Sequence, residues 1–232
     1  MRLDQHLVIH HGFHSRTKAA DAIRRGDVLV NDQPAKPSLL IGENDVVSII
    51  NYPHYVSRSA DKLIEALETF EISLKHQVVL DIGSSTGGFT QVCLEQGAAH
   101  VIAVDVGTNQ LGASLRGDPR ITLYEQTNFK DLTTDMLPSI DTTVVDVSFI
   151  STIMHLPHLF QFGNQWICLI KPQFETKGEG LTHGVIQASK WIDAVMTSLE
   201  DTVKTSNKQL LGTLACRTKG KTGNQEYMVW IK

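Results

Sequence analysis

The sequence predicts an α/β protein: a Rossmann-like, doubly wound sheet, mostly parallel with its last strand antiparallel, behind a small N-terminal α+β module. Three observations carry this. From residue 78 onward apolar strand-like runs alternate with helical segments, the pattern of a parallel sheet covered on both faces. The first of those strands runs into a glycine-rich turn, and a second strand ends in an acidic residue roughly 20 positions later. The first fifty residues have a separate rhythm of two short helices and short strands, closed off by Asn51-Tyr52-Pro53-His54. With 232 residues and 41% apolar content the chain can build one small and one medium core. The expected divisions are 1–51, a linker over 52–60, and 61–232.

Leu3, Leu7 and Val8 suggest a short helix closed by Gly12, and Ser15 is placed to cap a second from Arg16 to Arg25 that Gly26 stops. Val28–Val30, the turn-prone Asn31-Asp32 and Val46–Ile50 read as a small hairpin-like sheet, with Pro34, Pro37 and Gly42 marking its loop. A helix from about Ser59 to Phe70 carries Leu63, Ile64 and Leu67 on one face. Strands follow at 78–82, 101–105, 121–124, 142–146, 166–170, 209–216 and 226–231, with helices near 89–96, 109–115, 150–160 and 187–204. Lys221-Thr222-Gly223-Asn224 is too short for a parallel crossover, so the last strand should run antiparallel to its predecessor.

The turn Asp81-Ile82-Gly83-Ser84-Ser85-Thr86-Gly87-Gly88-Phe89-Thr90 can be sorted among nucleotide-binding turns. Gly83 and Gly88 have phosphate-loop spacing, yet Phe89 stands where a lysine must neutralise phosphate. A dinucleotide fingerprint needs glycine two positions after Gly83, where Ser85 stands. A low-bulk GxxxGG turn between an acidic strand end and a helix suits S-adenosylmethionine, which brings no phosphate. Asp105, ending the next strand, can accept hydrogen bonds from both ribose hydroxyls. The alternative is a tight turn in an ordinary α/β protein.

Net charge is −4 and pI about 6.2, so any nucleic-acid contact must come from a local patch. Cys93, Cys168 and Cys216 form no CxxC pair and sit in apolar settings; together with an N-terminus lacking a signal-like run and no apolar stretch of spanning length, this indicates a cytoplasmic chain. In an open α/β sheet, ligands lie beyond the carboxyl ends of the parallel strands. Asp146 and Lys171 end two such strands, with Pro172 holding Lys171 extended. Glu226 begins the antiparallel last strand and so reaches the same rim. Lys62 lies in the first turn of the helix before the opening strand, where spacing alone leaves it equally fit for solvent.

These stretches are where the chain resembles a known family: Arg2-Leu3-Asp4, Tyr55-Val56-Ser57-Arg58, Asp81 to Thr90, Ala103 to Gly107, Asp146 to Ser151, Lys171-Pro172-Gln173-Phe174-Glu175 and Gly223 to Tyr227. They are similar to the TlyA-type family, known as hemolysin A and as ribosomal RNA 2′-O-methyltransferases. The resemblance implies an S4-like RNA-binding domain ahead of an FtsJ-like domain built on a class I methyltransferase sheet. It also implies 2′-O-methylation of ribose, cytidine in kind, in rRNA or a ribosomal subunit, with a Lys-Asp-Lys-Glu tetrad that falls on Lys62, Asp146, Lys171 and Glu226. The implied cofactor set is Asp81, Gly83, Ser84, Ser85, Gly87, Gly88, Asp105 and Asn128. The implied RNA set is Arg2, Arg16, Lys18, Arg24, Arg25 and Arg58. A monomer without metal or membrane contact is expected.

A ribose hydroxyl must lose its proton as it attacks the methyl group, which suits a base of lowered pKa. Lys171 is assigned that role, with Lys62 as the neighbouring cation that favours its neutral form and polarises the hydroxyl. Asp146 and Glu226 orient the amines while opposing the pKa drop. The chain departs from the family pattern at Ser59-Ala60, where two glycines are usual, at Thr108-Asn109, in place of an aromatic-glycine pair, and at Gly180–Ile186, in place of Gly-Gly-Val-Val. Its compactness is similar to the shorter family type associated with the large-subunit rRNA site.

Arg16, Lys18, Arg24 and Arg25, with only Asp21 among them, give the N-terminal module a positive face; Arg24 and Arg25 also suit a helix C-terminus. His10, His11 and His14 spell HHxxH without the zincin glutamate, and Gly12 interrupts the helix, which argues against metal. The Asp146-Val147-Ser148-Phe149 stretch is similar to the motif of amino-group methyltransferases but lacks both its prolines. A catalytically weakened RNA-binding or ribosome-assembly factor is the other reading, and a membrane-damaging hemolysin has no support in the residues.

Overall fold

The computed structural model of the chain describes residues 1–11, 13, 16–42, 44–50 and 55–232, the Lys18 side chain excepted. Two units are distinct, Met1–His54 and Tyr55–Lys232. In the first, helices α1 (Leu3–His10) and α2 (Arg16–Arg25) precede strands β1 (Val28–Val30), β2 (Gln33–Pro34) and β3 (Val47–Ile49), with β1 in the middle and antiparallel to both neighbours. Asn31 and Asp32 both have positive φ, the geometry a two-residue hairpin turn demands and these side chains tolerate. Pro34, expected in a loop, lies instead in β2, an edge strand where a missing N–H costs little. Leu3, Leu7, Ala19, Ala22, Ile23, Val28 and Val30 share one core. Gly12, His14 and Ser15, and residues 51–54 at the end of the expected first domain and the start of the expected linker, lie outside the described residues.

The second unit runs α3 (Ser59–Thr69), β4 (Val78–Ile82), α4 (Gly88–Glu95), β5 (His100–Val104), β6 (Ile121–Tyr124), β7 (Thr142–Val145), α5 (Thr152–Leu159), β8 (Gln165–Ile170), α6 (Pro172–Glu175), β9 (Leu181–Thr182), β10 (Val185–Ile186), α7 (Ser189–Thr205), β11 (Leu210–Ala215) and β12 (Tyr227–Ile231). Seven strands form one sheet in the order β11-β12-β8-β7-β4-β5-β6, parallel from β6 to β8, with β12 antiparallel between β8 and β11. The chain builds outward from β4 through β5 to β6, then crosses back to β7. The crevice at that reversal, beyond the ends of β4 and β7, is where such sheets hold ligands.

Alternation along each strand divides the core in two. Leu80, Ile82, Ile102, Val104 and Val145 pack on one face with residues of α5 and α7. Val79, Val101, Val144, Ile167 and Met228 pack on the other with residues of α3 and α4. Both layers leave the carboxyl edge open for polar residues.

The helix expected near 109–115 is absent; the segment is a series of turns. Leu111 and Leu115 have helical spacing and are buried, but the backbone is bent at Asn109 (φ 55°) and tied by Gly112 N–H to the Thr86 carbonyl at 3.0 Å. Asn109 takes the left-handed conformation that the family's glycine would supply. The one-turn helix α6 and the small hairpin β9–β10 are too short to leave a periodic signature. Among the described residues no helix is long and apolar enough to cross a membrane.

Candidate active site

Beyond β4 the chain turns sharply at Gly83 (φ 82°), and the amides of Gly83 and Ser84 both donate to the Val104 carbonyl, at 2.9 and 3.1 Å. A Cβ at Gly83 would lie 2.7 Å from the Asp146 carbonyl oxygen, so the turn can press against the end of β7 only without a side chain. Gly87 (φ 91°) leads into α4, and a Cβ on Gly88 would lie 2.6 Å from the Ser57 Cβ. The Asp105 carboxylate fastens the rim: it accepts from Ser85 N at 2.8 Å and from Gly107 N at 2.7 Å, leaving lone pairs for a ligand.

Asp81 lies beneath the turn, fully buried. Thr90 Oγ1 donates to its Oδ2 at 2.5 Å, while its Oδ1 and the nearby Ser84 Oγ are buried without a hydrogen-bond partner among the described residues. Burial pushes the Asp81 carboxyl up to about 7; the Thr90 hydrogen bond opposes the shift and the charge of Asp146 adds to it.

A cleft of about 430 Å³ opens at the crevice, lined by Gly83, Ser85, Asp105, Asn128, Phe129, Asp146, Ser148 and Phe149 among others. A recess of about 110 Å³ adjoins it, sharing Gly83, Ser85, Asp146 and Ser148 and adding Ser57, Ser59, Ser84, Thr86 and Phe89. Gly83, Ser84, Ser85, Asp105 and Asn128 therefore face the cavities, whereas Asp81, Gly87 and Gly88 shape the turn.

Four charged side chains meet at the same edge. Lys62 Nζ donates to Glu226 Oε2, joining residues 164 positions apart, both almost wholly buried. Lys171 Nζ lies 2.7 Å from Asp146 Oδ1 and donates to Ser148 Oγ at 2.7 Å. Lys62 is thus no solvated helix residue: α3 turns it inward, 7% exposed, onto the end of β12. Lys171 has the extended backbone that Pro172 imposes. Burial raises the pKa of the Asp146 carboxyl, and the Lys171 charge and hydrogen bond work against that. Gln173 Nε2 donates to Glu226 Oε1 at 3.1 Å.

Three groups at this edge escaped sequence reasoning as individuals. Ser148 grips Lys171; Gln173 supports Glu226; Phe149 is 87% exposed on the cleft rim with φ 68°, its ring 5.2 Å from that of Phe174. An apolar side chain between a polar strand end and a helix start was the available signal for Phe149.

In the first unit the arginines carry aspartate partners. Arg2 and Arg16 both bond Asp4, at 3.0 Å each; Arg24 pairs with Asp21 at 2.9 Å and Arg25 with Asp27 at 2.6 Å. The Arg2 hydrogen bond, reinforced by Arg16, holds the Asp4 carboxyl at about 2 against its burial. Only Asp21 is visible between those arginines in the sequence, so the positive face is more nearly neutralised than composition suggests. Arg58 sits at the start of α3 in the second unit. His6 packs its ring 4.7 Å from His10 and 5.2 Å from His11, and no metal-binding cluster occurs among the described residues.

The family model for FtsJ-like methyltransferases matches residues 55–232, and that for the S4 domain matches residues 1–47. The chain is 36% identical over its whole length, and over 89% of the relative, to the 16S/23S rRNA (cytidine-2′-O)-methyltransferase TlyA of Mycobacterium tuberculosis. It is 37% identical to hemolysin A of Brachyspira hyodysenteriae, over 98% of each chain. Among solved structures, a putative hemolysin from Streptococcus thermophilus superposes with a TM-score of 0.77 at 32% identity, covering all of this chain and 87% of that one. One from Lactococcus lactis gives 0.75 at 37% identity, covering 78% and 89%. The chain belongs to the FtsJ-like methyltransferase family, in the TlyA and hemolysin A branch that carries an S4 domain at its N-terminus.

Proposed function

We propose that this methyltransferase moves a methyl group from S-adenosylmethionine to the 2′-hydroxyl of a cytidine ribose in ribosomal RNA. The observation that carries the reading is the meeting of two lysine–carboxylate pairs, Lys62–Glu226 and Lys171–Asp146, beside the glycine turn. The residues present suit the cofactor. Gly83, without a side chain, lines both cavities, Asp105 retains acceptor capacity for ribose hydroxyls, and Ser84, whose hydroxyl is unpartnered among the described residues, lines the recess. When bound, S-adenosylmethionine supplies an electrophilic methyl carbon on a sulfonium.

The chain's part is to hold the hydroxyl in line and to take its proton. Lys171 is the base. Its Nζ lies 2.7 Å from Asp146 Oδ1 and 2.7 Å from Ser148 Oγ, a placement beside the glycine turn that suits an acceptor of the ribose proton. Lys62, locked on Glu226, polarises the same oxygen. Phe149 and Phe174 offer ring faces on which the target base can stack. Alignment itself contributes several kcal/mol to the barrier reduction, about 7–11 in favourable cases. The M. tuberculosis relative is named for cytidine 2′-O-methylation, which supports the choice of nucleoside. Replacing Lys171 by Ala should lower turnover by about 100-fold or more while calorimetry still finds cofactor binding; unchanged turnover rejects the base assignment.

A further inference from the structure

Two loops beside the tetrad carry a cationic surface that neither the cofactor nor the four charged side chains require. The hairpin β9–β10 and its flanks bring Lys177, His183 and Lys190, and the connection from β11 to β12 brings Arg217, Lys219 and Lys221; all six are exposed. Buried Asn224 fastens one loop to the other. Its Nδ2 donates to the Gly184 carbonyl at 2.7 Å, its Oδ1 accepts from Ile186 N at 2.9 Å, and its carbonyl accepts from Gly220 N at 2.9 Å. The connection lies directly on the tetrad, because a Cβ on Gly220 would run into the Glu226 carboxylate.

The acids near these loops do not cancel the charge. Glu65 is taken up by Arg217 at 3.2 Å, Glu226 by Lys62 and Gln173, and Glu175 by Ser151 and Thr152, which leaves Glu179 and Asp193 as the remaining carboxylates of the two segments and the first turns of α7. Lys190 lies over the Trp191 ring. Among the described residues Lys177, Lys219 and Lys221 have no carboxylate partner, in contrast to the arginines of the first unit. Unpaired ammonium groups on a chain of net charge −4 are poised to displace counterions from a polyanion.

The geometry points to a phosphodiester-binding surface: the two loops joined by Asn224 hold the RNA backbone next to the target ribose. This rests on the rRNA reading above. The test compares the full chain, the triple variant Lys177→Ala/Lys219→Ala/Lys221→Ala, and the control Lys75→Ala, whose exposed side chain precedes the opposite end of β4. Binding to transcribed large-subunit rRNA is measured across salt concentrations, alongside cofactor calorimetry as proof of folding. The triple variant should bind about tenfold more weakly at low salt, with the slope of log K against log salt shallower by about 2–3. Its cofactor affinity should be unchanged, and Lys75→Ala should match the wild type. Wild-type slope and affinity in the triple variant overturn the surface and leave the methylation reading standing. Wild-type protein that binds the transcript, loses the slope on substitution, yet methylates no ribose defeats that reading and leaves the surface. A wild-type chain that does not bind the transcript overturns both.

Discussion

Asp81 shows how one residue can serve the turn at a cost to the fold. Its carboxyl is buried, half-satisfied by Thr90 and raised to about 7 from an ordinary 3.8. A folded-state pKa above the unfolded one means that the bound proton favours folding below about pH 4, and that this contribution is lost as pH rises through about 7. Asp81→Asn should therefore melt above the wild type at pH 8 by about 4–8 °C, taking about 2 kcal/mol as the gain, with the gap closing toward pH 4 in thermal scans. A gap independent of pH would assign the effect to packing. The strand-end acid was legible as a residue; its burial was not, because sequence position does not say which neighbours exclude water.

Short elements decide what stands at the rim of the cleft. The stretch Asp146 to Ser151 leaves β7, bends at Phe149 and enters α5 under a Ser151 cap whose hydroxyl accepts from Met154 N at 3.0 Å. Positive φ at a bulky residue is costly and persists only where the surroundings impose it. Here it lifts the Phe149 ring into the open beside Phe174. Phe149→Ala should raise KM for RNA about tenfold, within the 1–3 kcal/mol of a base–aromatic stack, with little change in cofactor affinity; steady-state kinetics on rRNA would show it, and an unaltered KM removes the stack from the account. The four-residue α6 and the two-residue strands β9 and β10 were not legible, because elements so short carry no period. The helix expected at 109–115 illustrates the converse: apolar spacing at Leu111 and Leu115 satisfies a folded loop as readily as a helix.

At the scale of the whole second unit, the proposed reaction draws on a pair that the chain brings together across 164 positions. Removing one partner of the buried Lys62–Glu226 pair strands the other, so Glu226→Gln should destabilise by about 3 kcal/mol in denaturant unfolding, whereas Lys62→Met/Glu226→Leu should regain most of it. Methyl transfer should be lost in both. Activity returning with stability in the double variant would make the pair structural alone. Alternating strands, the GxxxGG turn and the acid after β5 made the sheet and the crevice at its carboxyl edge legible in the sequence, since both follow from local periodicity and from side chains of low bulk. That Lys62 turns inward while Lys190 and Lys204 of α7 face solvent, that Phe149 stands exposed, and that Asn224 ties two basic loops together were settled only by packing, because each depends on residues distant in the chain competing for the same space.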